Sequence, residues 1–338
     1  MDKGTDELKQ KERRRWISFA AVAVLLVVVF FFSLTEGSLK LGVGQILRGL
    51  FFSYDGEVAR IYDLRFPRVF IAILAGASLA TSGTLLQAVM KNPMTDPGII
   101  GISSAANFVN SMVLALSPAL MGWSPLLSIS GGLLAYFLIY TLAWDGGVRP
   151  TRLILVGVAL NMTFIGIGEG IKSIMGRNLS ATQAIIEGNV AQKTWSDVHI
   201  LFLYVIVFLI AALFTIRSLN LLSLEDKTAR ALGVRVDRDR FIVALIAIIL
   251  ASVTTAVAGV IGFLGLIVPH IGRVLVGGDH KYLLPFNMVL GSLILLFSDT
   301  VGRIVAYPYE IPAAVIMSVF GGPFFIALLK LGGENYGD

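Results

Sequence analysis

The sequence predicts an all-α, polytopic membrane protein with ten transmembrane helices. Three observations carry that prediction. The chain is 56% hydrophobic and only 14% charged over 338 residues, with a mean hydropathy of +0.82; a soluble domain carries about 25% charged residues. Apolar runs of about twenty residues recur along it, each the length of helix that crosses a hydrocarbon layer of about 30 Å. The basic residues between those runs are also unevenly distributed: on a model that starts inside and crosses ten times, 18 of the 27 Lys and Arg fall inside. That bias places both termini in the cytoplasm.

The spans lie near 16–34, 68–90, 98–117, 124–145, 152–175, 196–217, 239–261, 263–277, 281–305 and 311–331. Lys9, Lys11 and Arg13 to Arg15 precede the first. Its apolar run is longer than the roughly 7–15 residues of a signal-peptide core and ends in Leu34-Thr35-Glu36, so it reads as a retained span behind a cytoplasmic tail, residues 1–15. The second is rich in small residues (Gly76, Ala77, Ser78, Ala80, Ser82, Gly83), which suit a helix packed tightly among others. Asn92-Pro93 and Pro97-Gly98 break the chain behind it. The eighth is short, Gly-rich and carries Pro269, so irregular backbone is expected there, and such backbone survives at membrane depth only when it is buried in protein or lines a cavity. The whole chain, 1–338, reads as one transmembrane domain.

Two segments do not span. Residues 177–195 are external, with a short helix from about Ser180 or Ala181 to Glu187. Residues 221–240 are internal: Ser223 is a plausible N-cap, Glu225 and Asp226 sit in the first turn, and Gly233 ends the pattern. Leu224, Lys227, Ala231 and Leu232 then share one face of a short amphipathic helix, either resting on the bilayer or docking a cytoplasmic partner.

Several chemistries have no motif here. There is no G-x-x-x-x-G-K-[ST] to cradle ATP phosphates, no H-E-x-x-H and no G-x-S-x-G. The chain has no cysteine, and its three histidines (His199, His270, His280) are far apart in sequence, so no metal site is expected; His270 reads as a helix-end residue. The net charge of +5 does not indicate nucleic acid, because loop topology accounts for it. Charges inside spans are functional candidates. These are Glu169 and Asp299, both toward external ends, with Arg303 one turn after Asp299 on the same face.

Six ordered segments then resemble one family. They are LRFPR at 64–68, SGTLLQAVMKNPMTDPGIIGISSAA at 82–106, LSLEDKTARALGV at 222–234, GFLGLIVPHIGR at 262–273, GGDHKYLLP at 277–285, and SDTVGR with EIPAAV and GGPFF between 298 and 325. Together they look like the FecCD-type (BtuC-like) permeases, the membrane subunits of binding-protein-dependent ABC importers for iron-siderophores, haem and cobalamin. The resemblance runs from about residue 16 to 331. One departure is ISSAAN at 102–107, where relatives have a glycine-containing ISSGA-like sequence, so Ala105 alters a close-packing position.

The resemblance implies a BtuC-like permease fold in the bacterial plasma membrane, not itself an enzyme. The implied partners are a second permease subunit, two cytoplasmic ATPase subunits and an extracytoplasmic binding protein, with ATP and Mg held on the ATPases and no cofactor in this chain. Residue by residue, it implies that Arg65, Arg68 and Arg303 dock the binding protein at the external mouth. Leu224, Glu225, Ala229, Leu232 and Gly233 become contacts of a coupling helix with the ATPase. Asn161, Met162 and Thr163 face the translocation pathway, unless Asn161 instead makes a structural interhelical hydrogen bond. The cargo expected from family frequency is a ferric siderophore, with haem or cobalamin as alternatives.

Overall fold

The computed structural model describes residues 2–36, 42, 44–46, 48, 56–143, 150–175 and 190–332. The external helix expected near 181–187 lies outside them. The described residues form helices joined by short turns, without a strand. In chain order they are α1 (Asp2–Thr35), α2 (Gly56–Leu64), α3 (Phe66–Val89), α4 (Ile102–Leu116), α5 (Ser124–Ala143), α6 (Pro150–Met175), α7 (Trp195–Phe214), α8 (Ile216–Leu222), α9 (Asp226–Ala231), α10 (Val236–Ala258), α11 (Leu264–Val276), α12 (His280–Val305) and α13 (Ala313–Gly332). Among the described residues, seven helical stretches are long and apolar enough to cross a membrane, and three shorter apolar helices lie at 102–116, 264–276 and 313–327. Each of the ten expected spans coincides with one of these.

The bundle is built around α3, which packs against α7, α10, α11 and α12. Its small residues make this possible. A Cβ on Gly76 would lie 2.3 Å from the carbonyl oxygen of Gly291 on α12, and one on Gly83 would lie 2.1 Å from that of Gly265 on α11. Backbones meet where side chains would hold them apart, so dispersion contacts replace the hydrophobic force that lipid does not supply. Hydroxyls reinforce the seam, with Ser78 donating to the carbonyl of Leu250 and Ser82 to that of Ala247 on α10. Helices α4, α5 and α6 pack together beside this core, and α10 links the two groups. Ala105 stands fully buried there. The close approach falls on its neighbour, since a Cβ on Gly131 of α5 would sit 2.4 Å from the Ala105 carbonyl oxygen.

The irregular backbone expected around the eighth span is present. Residues 259–263 leave the helical path between α10 and α11, with Gly259 at φ 76° and Phe263 at φ 66°. His270 lies inside α11, edge-on to Phe324 of α13, and not at a helix end as expected. The N-terminal basic segment continues α1 as helix. Arg14 and Arg15 donate to the carbonyls of Val274 and Val276, and Arg15 lies over the Tyr282 ring. Two cations thus cap the negative end of α11.

Candidate functional site

The candidate residues gather at the two ends of α3, whose 24 residues span about 36 Å at 1.5 Å per residue. At its start stands a cluster of charges. Arg68, in the first turn, is only 7% exposed. Its Nε and one terminal nitrogen grip both oxygens of Asp299 at 2.9–3.1 Å, and its other terminal nitrogen reaches Glu310 at 2.7 Å. Asp299 is fully buried, whereas the Glu310 side chain is 50% exposed. Arg303 lies 3.5 Å from Asp299, the i, i+4 pair read from the sequence, and also donates to the carbonyl and hydroxyl of Ser33. Arg65 donates to the carbonyl of Leu34 at 2.6 Å.

The three arginines therefore do not form an outward-facing rim as expected. They turn inward and join the end of α1, the start of α3, the end of α12 and the turn before α13. The reason is energetic: a buried carboxylate requires a paired, hydrogen-bonded cation, and the fork of Arg68 supplies two parallel bonds. Of this cluster, Glu310 is the member that faces solvent.

At the far end of α3 the chain turns out of the helix at Lys91, φ 49°. The following loop holds its own shape: the Asp96 carboxylate accepts from the N–H groups of Gly98 and Ile99, and the Asn92 side chain accepts from that of Met94. Such side-chain-to-backbone bonds are how Asn and Asp build turns. The loop ends in backbone contact with α6. A Cβ on Gly157 would lie 3.0 Å from the backbone of Ile100, and one on Gly101 (φ 87°) would lie 3.1 Å from the backbone nitrogen of Asn161.

Nearby is the short helix α9. Ser223, expected to cap it, instead ends α8 and donates to the carbonyl of Asn220. Glu225 stands at the N-cap position and Gly233, φ 85°, terminates the helix. Leu224 is 38% and Leu232 58% exposed, and Glu225, Lys227, Ala231 and Gly233 are exposed with them. Ala229 is fully buried in the apolar core and has no surface to offer a partner, which corrects its expected role. An open cleft beside Leu232 is lined by Ile216, Arg217, Asn220, Leu221, Asp279 and Lys281.

Asp226, in the first turn of α9, accepts from Lys91 at 2.8 Å and from both terminal nitrogens of Arg240 on α10 at 2.7 and 3.0 Å. The hydrogen bond from Lys91, with the adjacent Arg240 charge, outweighs partial burial and holds this carboxyl below the usual carboxylate range. A depressed folded pKa means the contact is intact above the ordinary value of about 3.9 and is lost only as pH falls through the folded value. It is thus closed throughout the neutral range. Sequence reading missed this trio, because Lys91 and Asp226 are 135 residues apart; only the placement of Asp226 in a first turn pointed toward it.

Asn161, Met162 and Thr163 sit on α6, which among the described residues packs chiefly against α4 and α5 and against the end of the loop 91–101. Met162 and Thr163 are exposed and Asn161 is half-buried; the Thr163 hydroxyl donates to the carbonyl of Ala159. Phe164, between them and the bundle, is buried against Phe108. The structure thus does not bring the three candidate sets into one site. It forms an ion cluster at one end of α3, an exposed short helix near the other, and a polar flank on α6 joined to that end by the loop 91–101. The three histidines lie apart, and no group of three or more His, Cys, Asp or Glu able to hold a metal occurs among the described residues.

A family model, the FecCD transport family, matches residues 25–330. The chain is 38% identical over 318 residues to the probable heme-iron transport system permease protein IsdF of Staphylococcus aureus strain MSSA476, covering 94% of this chain and 97% of that one. The same identity and coverage hold for the protein of strain Newman. Among solved structures, an inward-facing transporter assigned to the metal-chelate ABC type superposes with a TM-score of 0.80 at 30% identity, covering 92% of this chain and 98% of the other. PsaBC from Streptococcus pneumoniae, in complex with Fab, shares the fold with a TM-score of 0.55 at 18% identity, over 85% of this chain and 95% of that one.

Proposed function

The chain belongs to the FecCD transport family and is a permease subunit of an ABC importer, and we propose that it carries an iron chelate, haem in particular, inward across the bacterial plasma membrane. The cargo rests on one observation: relatives 38% identical along nearly their whole length are named for heme-iron transport. A ferric siderophore, the expectation from family frequency, has no comparable support. The working assembly is two permeases around a central pathway, two ATPases inside and a binding protein outside, with both termini of this chain in the cytoplasm.

The geometry supports two of these roles, the ATPase contact and the pathway. Leu224 and Leu232 offer exposed apolar anchors on either side of the short helix α9, in a segment flanked by basic residues, the form a groove on an ATPase would accept. The Thr163 hydroxyl is satisfied within its own helix by the Ala159 carbonyl, but Asn161 puts a half-buried polar amide on a spanning helix. Facing lipid, such a group costs free energy; facing a water-filled pathway or a second permease, it does not. The chain would form no covalent bond with its cargo. It would exchange an outward opening for an inward one, driven by the different affinities of the partners for the two states.

Cargo is tested with the complete transporter in vesicles, its binding protein loaded with haem or with a ferric hydroxamate siderophore. The expected result is ATP-dependent accumulation of haem, read by Soret absorbance inside the vesicles, with little siderophore uptake. Siderophore accumulation without haem uptake would reverse the assignment.

A further inference from the structure

We infer that Lys91 is the positioning residue that transmits movement of the short internal helix α9 to the pathway flank of α6, acting through Asp226 and the loop 91–101. This rests on the importer reading and adds a specific route to it.

Three observations on different elements support the inference. First, α9 is bolted at one point. The Asp226 carboxylate receives the two-pronged guanidinium of Arg240 and the ammonium of Lys91, and Lys91 also donates to the carbonyl of Leu224, the residue at the exposed apolar end of the same segment. One lysine thus holds both the backbone and the first turn of the proposed ATPase contact. Second, Lys91 begins a loop that cannot deform freely. It departs at a left-handed φ and is braced by Asn92 and Asp96 on its own backbone; the second Asp96 oxygen lies against α11, 2.9 Å from where a Cβ on Gly265 would stand. Third, the loop ends against the Gly157 to Asn161 stretch of α6 with backbone on backbone, leaving no flexible side chain to absorb a displacement. A shift of α9 is therefore passed along a braced segment onto the polar flank of α6. Arg240 ties Asp226 to α10, whereas Lys91 is the contact that ties it to the loop.

The position of Lys91 separates transmission from attachment. Its side chain is 31% exposed and joins no apolar core, so Lys91→Met leaves Leu224 and Leu232 available to a partner. The test uses the full transporter in vesicles, comparing wild type with Lys91→Met, Lys91→Arg and Asp226→Asn. It reads three quantities: ATPase subunits retained on purification, ATP hydrolysed without cargo, and cargo accumulated per ATP hydrolysed. The expected result for Lys91→Met is normal retention and basal hydrolysis with a roughly tenfold lower ratio of cargo to ATP, and substantial recovery in Lys91→Arg; Asp226→Asn, within the proposed ATPase contact itself, lowers that ratio as well. A structural or attachment role would instead lower retention or hydrolysis and leave that ratio alone. A wild-type ratio in Lys91→Met, or loss of the ATPase subunits in proportion to lost uptake, overturns the relay while leaving the importer reading intact. A wild-type complex without ATP-driven uptake overturns both.

Discussion

Arg68→Met destabilises the membrane-embedded fold by about 3–5 kcal/mol, the cost typical of removing one partner from a buried ion pair. Asp299 is fully buried and takes its two-pronged contact from Arg68. Arg303, 3.5 Å away, is too distant to replace it. Three comparisons identify the cause. Asp299→Asn in the Arg68→Met background should recover part of the loss, because it removes the stranded charge. Glu310→Gln should cost no more than about 1 kcal/mol, since that carboxylate is half in water. Arg303→Met should fall between them. Thermal or denaturant unfolding of the detergent-purified chain measures all four. Equal small losses for Arg68→Met and Glu310→Gln would show that the cluster is not the internal tie described here.

Leu224→Asp with Leu232→Asp releases the ATPase subunits and leaves the permease folded. The two leucines are already largely exposed within this chain, and surface changes of that kind shift stability by about 0.5 kcal/mol or less. Buried in a partner's groove, each leucine is worth about 1.5–3 kcal/mol. Losing both weakens association by at least about a hundredfold, at 1.4 kcal/mol per tenfold. Co-purification and unfolding, measured on the same preparation, separate the two effects. Retention of the ATPase subunits together with normal uptake would remove α9 from the interface.

These two sites also show which features the sequence made legible. Long apolar runs reflect lipid as solvent, a constraint acting on every residue, and so they marked the spans. The Gly-rich stretch before Pro269 marked irregular backbone because few other residues tolerate the dihedrals of Gly259, although the left-handed Phe263 beside it carried no such signal. Asp299 with Arg303 was visible as a one-turn pair. Its principal partner was not: Arg68 is 231 residues away, and no local pattern reports which cation meets a buried carboxylate. An arginine near a span end reads as an outward charge until the fold shows it turned inward.

The short helix α9 was read less well in detail. Ser223 and Glu225 are both near its start, and α8 running on to Leu222 took Ser223 for its own end. Leu224, Lys227, Ala231 and Leu232 are all exposed, but the helix is shorter than expected and holds only Lys227 and Ala231, with Leu224 before its N-cap and Leu232 at its C-cap. Ala229 came from motif resemblance, not from the spacing of those four; at about 100° per residue it stands roughly 200° around the helix from Lys227, on the side facing the core.

On the reading proposed above, ATP hydrolysed on separate subunits drives this permease. The most direct measurement is haem accumulation in vesicles containing this permease and its binding protein, with and without the partner ATPases. ATP, a proton gradient or a sodium gradient is supplied in turn. Accumulation should require both the ATPases and ATP on their side of the membrane, and the isolated chain should hydrolyse none. Robust accumulation driven by an ion gradient alone, with no ATPase present, would contradict the account and make this chain a secondary carrier.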